Sequence, residues 1–194
     1  MFADIVFPNK NEEQFIEIAK KLNYETIYFV YQGNFTKFKD LDVNVKIASI
    51  GTLKNIKNIK KKVDLVLVRS SHRDREILEK FKNILIFDLE IVAPHDFIHH
   101  RASGLNQVMC KLAYKNDIMI GFSFNTILKS KDRPKLIGRI IQNIKLCRKY
   151  KIKTVIGSFA TDPYEMRSPH DLVAFFSELG MHPKEAKNSL SLLR

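Results

Sequence analysis

Two hydrophobic rhythms alternate along the chain. Short runs of consecutive apolar residues recur at residues 4–7 (DIVF), 26–30 (TIYFV), 45–50, 64–68 (DLVLV), 84–87 (ILIF), 118–124 (IMIGFSF) and 154–157 (TVIG). Runs of this length, bounded by polar or turn residues, predict strands. They are continuous rather than alternating, the pattern of parallel strands covered on both faces. Between them apolar residues return every three or four positions. Residues 12–22 carry Phe15, Ile16, Ile18, Ala19 and Leu22 at helical spacing, and residues 53–62, 72–81 and 106–115 behave likewise. Residues 134–149 form the longest such stretch, with Ile137, Ile140, Ile141, Ile144 and Cys147 on one side. Residues 168–179 and 183–193 predict two further helices. The first of these opens on a Ser168-Pro169 cap, with Asp171 placed to close a capping box.

Strand followed by helix, repeated about seven times, predicts an α/β fold with parallel strands. No GxGxxG or GxxxxGK[ST] loop follows any strand, so a nucleotide-binding doubly wound sheet lacks its usual signature. The better expectation is a TIM-barrel-like (β/α) barrel, irregular or reduced, because 194 residues sit at the lower limit of roughly 200 for that fold. No linker, low-complexity tract or longer repeat divides the chain, and one domain over residues 1–194 is expected.

Composition adds a partner class. With 33 Lys and Arg against 21 Asp and Glu the net charge is +12, which favours an anionic partner, and 45% hydrophobic residues exclude a disordered chain. The two cysteines, Cys110 and Cys147, fall inside helical patterns and form no CxxC pair, so a zinc ribbon or disulfide scaffold is not expected and a reducing cytoplasm is. Residues 1–4 do not read as a signal peptide, and no apolar run has the length of a membrane span.

In a parallel barrel, chemistry gathers at the C-terminal ends of the strands. Those ends supply Pro8-Asn9-Lys10, Gly33-Asn34, Ser49, Arg69 to Arg73, Asp88 and Glu90, Ser123 and Asn125, and Ser158, Thr161 and Asp162. A metal hydrolase needs several His and carboxylate ligands converging there. His72, Asp88, His95 and Asp162 offer one such set, but the first strand carries no ligand pair, no His-x-His or HExxH occurs, and the "HDFIHH" stretch reads as a polar loop. No bound metal and no catalytic residue are expected, and the absence of a GxSxG turn removes the usual nucleophile. The basic residues say more. They cluster at Lys54 to Lys62, at Arg69, Arg73 and Arg75, around the start of the long helix from Lys129 to Arg139, and around its end at Lys145, Arg148, Lys149, Lys151 and Lys153. Arg167 stands beside the Ser168 cap, where outward-pointing amides and a guanidinium together suit a phosphate. No exposed aromatic stacking platform can be picked out.

Two long segments, "ASGLNQVMCKLAYKNDIMIGFSF" and "RPKLIGRIIQNIKLCRKYKIKTVIGSFATDPYEMRSPHDLVAFFSELGM", resemble ribonuclease P protein component 3, the archaeal counterpart of the thirty-kilodalton protein subunit of eukaryotic ribonuclease P. The similarity is clearest from Ser103 to Met181, in the Gly104-Leu105-Asn106 turn, the "CRKYK" helix end and "IGSFA" followed by "MRSPHDL". It implies a barrel related to the polymerase and histidinol phosphatase superfamily, and a place in the ribonucleoprotein that removes 5′ leaders from precursor tRNA. It implies that no cofactor is bound by the protein, that the catalytic Mg²⁺ sits on ribonuclease P RNA, and that the protein supports that RNA. The implied partners are this RNA, precursor tRNA and other protein subunits, most directly a small paired subunit. By motif, Arg167, Arg101 and Lys149 or Lys151 match basic positions of the family. Arg73 and Arg75 both stand where one basic residue opens the helix after "DLVLV". With Arg139 from the long helix, these are the expected RNA-binding residues, and Ser168 the expected phosphate-site cap. The superfamily's first-strand metal histidines are missing from "DIVFP". The alternative is a metal-dependent phosphoesterase of that superfamily.

Overall fold

In a computed structural model of the chain, described for residues 2–33, 40 and 42–193, seven strands form one parallel sheet in chain order: β1 (Ala3–Val6), β2 (Thr26–Tyr31), β3 (Asn44–Ile50), β4 (Leu65–Arg69), β5 (Leu85–Phe87), β6 (Met119–Ser123) and β7 (Thr154–Gly157). Asn34, expected at a strand end, lies outside the described residues. Helices α1 (Glu12–Lys21), α2 (Ile56–Ile59), α3 (Asp74–Lys80), α4 (Gln107–Lys115), α5 (Phe124–Lys129), α6 (Arg133–Lys149), α7 (Pro169–Glu178) and α8 (Pro183–Ser191) cover the outside.

The sheet curls until its two edges meet, so the barrel is nearly closed. No ladder joins β1 to β7. A single bridge pairs Val6 with Ala160, with the Phe7 amide donating to the Ala160 carbonyl at 2.8 Å. Asp4 completes the seam from a fully buried position. Its carboxylate accepts the amides of Ile5 at 2.9 Å and Ser158 at 2.7 Å, and the Ser158 hydroxyl at 2.5 Å. Burial pushes the Asp4 carboxyl up to about 6, against the opposing pull of those bonds.

Alternate strand residues point inward, among them Ile5, Tyr28, Val30, Ala48, Leu67, Leu85, Phe87 and Val155. The barrel is therefore a packed core rather than a pore. Phe7, Phe87 and Phe159 close its C-terminal mouth, with Phe87 and Phe159 stacked at 5.3 Å. At the other end Thr154 hydrogen-bonds Ser189 of α8, and Leu193 joins the inner cluster. The larger core lies between sheet and helices, where Ile86, Ile120, Phe122, Ile140, Ile144, Cys147 and Phe176 are all buried.

Two elements depart from the hydrophobic pattern. The expected helix over residues 53–62 contracts to the four residues of α2; with three consecutive lysines, Lys60 to Lys62, at its end, it has one buried apolar residue, Ile56, to hold it. The apolar run at residues 118–124 ends its strand at Ser123, whose hydroxyl accepts the Thr126 amide and starts α5. Local capping wins there over strand propensity. The turn before α4 needs a glycine: Gly104 has φ +84°, and a Cβ would lie 2.3 Å from the Leu89 carbonyl oxygen.

Candidate functional site

Chain direction sorts the basic residues into two groups. Apart from α5 and α8, which do not lead from one strand to the next, the helices start near the C-terminal ends of the strands and finish near their N-terminal ends. The 17 residues of α6 span about 26 Å at about 1.5 Å per residue. Lys149 and Lys151 at its far end are therefore separated from Arg73, Arg75, Arg101 and Arg167, which belong to the loops and helix starts at the C-terminal mouth. The expected residues do not form one patch.

Both ends carry paired and unpaired cations. At the mouth Arg69 pairs with Asp88 at 3.0 Å, Arg73 with Glu76 at 2.7 Å, Arg75 with Glu79 at 3.0 Å and Lys129 with Glu165 at 2.8 Å, and at the opposite end Arg148 pairs with Glu185 at 2.6 Å and Lys153 with Asp117 at 2.8 Å. At the opposite end Lys61, Lys62, Lys82, Lys115, Lys149 and Lys151 are exposed. None of these six has a carboxylate partner among the described residues. Exposed pairs such as Arg73–Glu76 open at little cost, but a phosphate must compete for them. It meets no competitor at the unpaired lysines.

Arg167 is held in a particular pose. Its Nη1 donates to the carbonyls of Tyr164 at 3.1 Å and Met166 at 2.8 Å. Its guanidinium carbon lies 5.5 Å from the centroid of the Phe124 ring, and the Tyr24 hydroxyl donates to its own carbonyl at 2.8 Å. The Nε and Nη2 edge, the fork that grips a phosphate or carboxylate, has no partner among the described residues. The Ser168 cap contributes less than the sequence implies. Pro169 has no N–H, and the Ser168 hydroxyl itself accepts the Asp171 amide at 3.1 Å. That leaves His170 as the one unclaimed amide of the three. Only half of the expected capping box forms, the Ser168 half.

Arg101 lies flat on α6, where the absence of a side chain at Gly138 makes room: a Cβ there would come within 2.8 Å of the Arg101 Nε. Arg139 is a correction. It is 1% exposed, with Nε on Asp96 at 2.8 Å and Nη1 on the carbonyls of Glu90 and Ala93, both at 2.7 Å. The loop between β5 and α4 folds over it, and no face remains for RNA. Sequence periodicity cannot see this, because the cover comes from residues some forty positions away.

The mouth itself is a cleft of about 510 Å³. The Thr126 hydroxyl donates to Asp88 at 2.6 Å, and Arg69 lies over the Phe87 ring at 5.3 Å. Burial pushes the Asp88 carboxyl up, opposed by the bond from Thr126 and the charge of Arg69. A metal centre does not fit here. His72 and His95 are exposed, Asp162 caps the turn at Pro163–Glu165, and among the described residues no three His, Cys, Asp or Glu side chains converge. Phe7, Phe87 and Phe159 line the cleft at this end of the barrel. One feature of this face escapes the sequence: Phe97, 65% exposed, stacks on His100 at 4.5 Å, inside the stretch that reads only as a polar loop.

A family model described as "RNase P subunit p30" matches residues 1–194. A protein called ribonuclease P protein component 3 from Methanococcus maripaludis (strain C6) is 27% identical over 167 residues, 84% of this chain and 68% of its own length. Others so called match over 43% to 82% of their own length. Among solved structures, a chain of "archaeal Ribonuclease P with mature tRNA" superposes with a TM-score of 0.79 at 21% identity, over 97% of this chain and 87% of its own. The histidinol phosphate phosphatase of Lactococcus lactis superposes with 0.61 at 10% identity, over 93% and 94%. At those identities the likeness shows the fold: a barrel of the histidinol phosphatase kind.

Proposed function

The chain belongs to the RNase P subunit p30 family, and from that membership we propose that it is an RNA-contacting protein subunit of ribonuclease P in the cytoplasm. Its partners in this reading are ribonuclease P RNA, precursor tRNA and other protein subunits, most directly a small paired one. The protein supports the RNA and does not itself cleave; the catalytic Mg²⁺ belongs to the RNA. The observation that carries the reading is the set of six exposed lysines at the N-terminal end of the barrel that have no carboxylate partner among the described residues. Unpaired donors neutralise phosphates and release counterions.

Reconstituted precursor-tRNA cleavage, with and without this chain, tests the reading. Omission is expected to lower the rate, and an unchanged rate would overturn it. Replacing Lys149 and Lys151 together by alanine is expected to flatten the dependence of log affinity on log salt by about two, roughly one for each phosphate no longer neutralised. The readout is RNA binding across a salt series.

Arg167 is proposed as a separate phosphate contact, through its free fork and the His170 amide. Arg167→Ala is expected to weaken RNA binding by about tenfold, and Arg167→Lys nearly as much, because lysine keeps the charge and loses the fork. Full activity of the lysine variant would reduce Arg167 to a point charge.

A further inference from the structure

The cleft at the mouth of the barrel differs in chemistry from the lysine face. Its two cations are neutralised by Asp88 and Glu165, so it lacks the surplus positive charge that a phosphate requires. It offers instead a cation held in place. The Arg69 guanidinium carbon lies over the Phe87 ring at 5.3 Å, a cation–π distance, and its Nε is tied to Asp88 at 3.0 Å. The side chain is still 60% exposed, which leaves it open to a ligand. Phe7, Ile50 and Ile91 supply apolar walls, and Thr126, Ser130 and Thr161 supply hydroxyls.

A buried group in the wall has no partner. Asn125 is 5% exposed, and its Nδ2 donates to the Phe159 carbonyl at 3.1 Å. Its Oδ1 accepts from nothing among the described residues. Buried acceptors are seldom left so, and this one belongs to a side chain that lines the cleft. A volume of about 510 Å³ falls in the range of small-ligand sites.

We propose that this cleft takes the base of one unpaired RNA nucleotide, stacked on the Arg69 guanidinium and hydrogen-bonded by the polar side chains around Asp88 and Asn125. Guanidinium planes and polar edges are how proteins hold bases splayed out of a single strand. The assignment rests on the RNA-contacting reading and adds a second, base-directed site at the opposite end of the barrel from the lysines.

The test is an amide NMR titration of the full chain with adenosine and cytidine 5′-monophosphate, with ribose 5-phosphate as the comparison. Shifts are expected at Arg69, Asp88, Thr126 and Lys129 with the nucleotides, and much smaller ones with the sugar phosphate. Arg69→Met is expected to weaken nucleotide binding by a factor of about five or more, the lower end of the value of one base stack. Ile91→Trp fills the cleft from a half-exposed rim position and serves if Arg69→Met does not fold. No shifts at the mouth, equal shifts with ribose 5-phosphate, or undiminished binding in a folded variant would each overturn the assignment. The Lys149 and Lys151 variant separates this site from the larger reading: it is expected to bind mononucleotides normally while losing RNA affinity.

Discussion

Replacing Arg139 with alanine is expected to lower the melting temperature by roughly 6–12 °C, although the side chain touches nothing outside the protein. Arg139 is buried and its partner Asp96 is a quarter exposed, so removing Arg139 costs about 3 kcal/mol, the lower end for a buried charged pair. For a chain of this size each kcal/mol moves the midpoint by about 2–4 °C. Alanine would take the Arg139 donors from the carbonyls of Glu90 and Ala93 and from the Asp96 carboxylate, which keeps the Ala102 amide. The same helix face carries Asn143, which donates to Glu90 and to the Ser103 carbonyl, and Gln142, which reaches Ser103. These three residues of α6 hold down the whole loop from Asp88 to Ser103. Arg139→Lys is not expected to rescue, because one ammonium cannot reproduce the fork. Calorimetry supplies the midpoint. Hydrogen exchange should show the loop losing protection before the strands do. A variant that melts within a degree or two of the parent would remove Arg139 from this structural role.

The second large effect is a fall in stability as pH rises from about 4 to 7. Asp4 and Glu90 are both fully buried, and burial raises their carboxyls, to about 6 and about 7. Hydrogen bonds from Ser158 and Asn143 oppose the rise without cancelling it. A group whose folded pKa lies above its unfolded one binds its proton more tightly when folded. Its stabilising contribution is complete below the unfolded value and is lost as pH rises through the folded value. For Asp4, the rise from 3.8 to about 6 corresponds to about 3 kcal/mol, and Glu90 is similar. Glu165 acts in the opposite sense. Its burial is outweighed by bonds from Lys129 and Thr161, it titrates at about 2, and its contribution disappears only in stronger acid.

Asp4→Asn is the informative variant. The amide oxygen still accepts from Ile5 and Ser158, and the new N–H₂ donates to the Ser158 hydroxyl, which can turn to receive it. The seam between β1 and β7 stays closed, and the pH dependence between about 4 and 6 is expected to flatten. Denaturant titrations at several pH values read this directly. An Asp4→Asn protein with the parent's slope would show that Asp4 does not carry it.

Asp4 also marks the limit of what neighbouring residues reveal. In "DIVFP" the aspartate reads only as a bracket to an apolar strand, whereas it joins the two ends of the barrel across 154 positions of sequence. The Ser168 cap was legible, because a cap depends on four consecutive residues. That its hydroxyl would consume one of the amides offered to a phosphate was not, since that follows from side-chain geometry.

Hydrophobic period and capping are properties of adjacent residues, so the strand–helix alternation and the barrel class were written in the chain itself. So were the excess of positive charge and the family likeness carried by the segment from Ser103 to Met181. Where each charge stands came from the folded whole. Folding sent Lys149 and Lys151 to one end of the barrel and Arg101 and Arg167 to the other. It drew Arg139 inside, whereas the pairs of Arg73 with Glu76 and Arg75 with Glu79 are local to one helix and follow from spacing alone. The reason is physical. A helical pattern fixes which side of a helix a residue occupies and which neighbours on that helix it can pair with, but burial and long-range pairing depend on what the rest of the chain lays against that side.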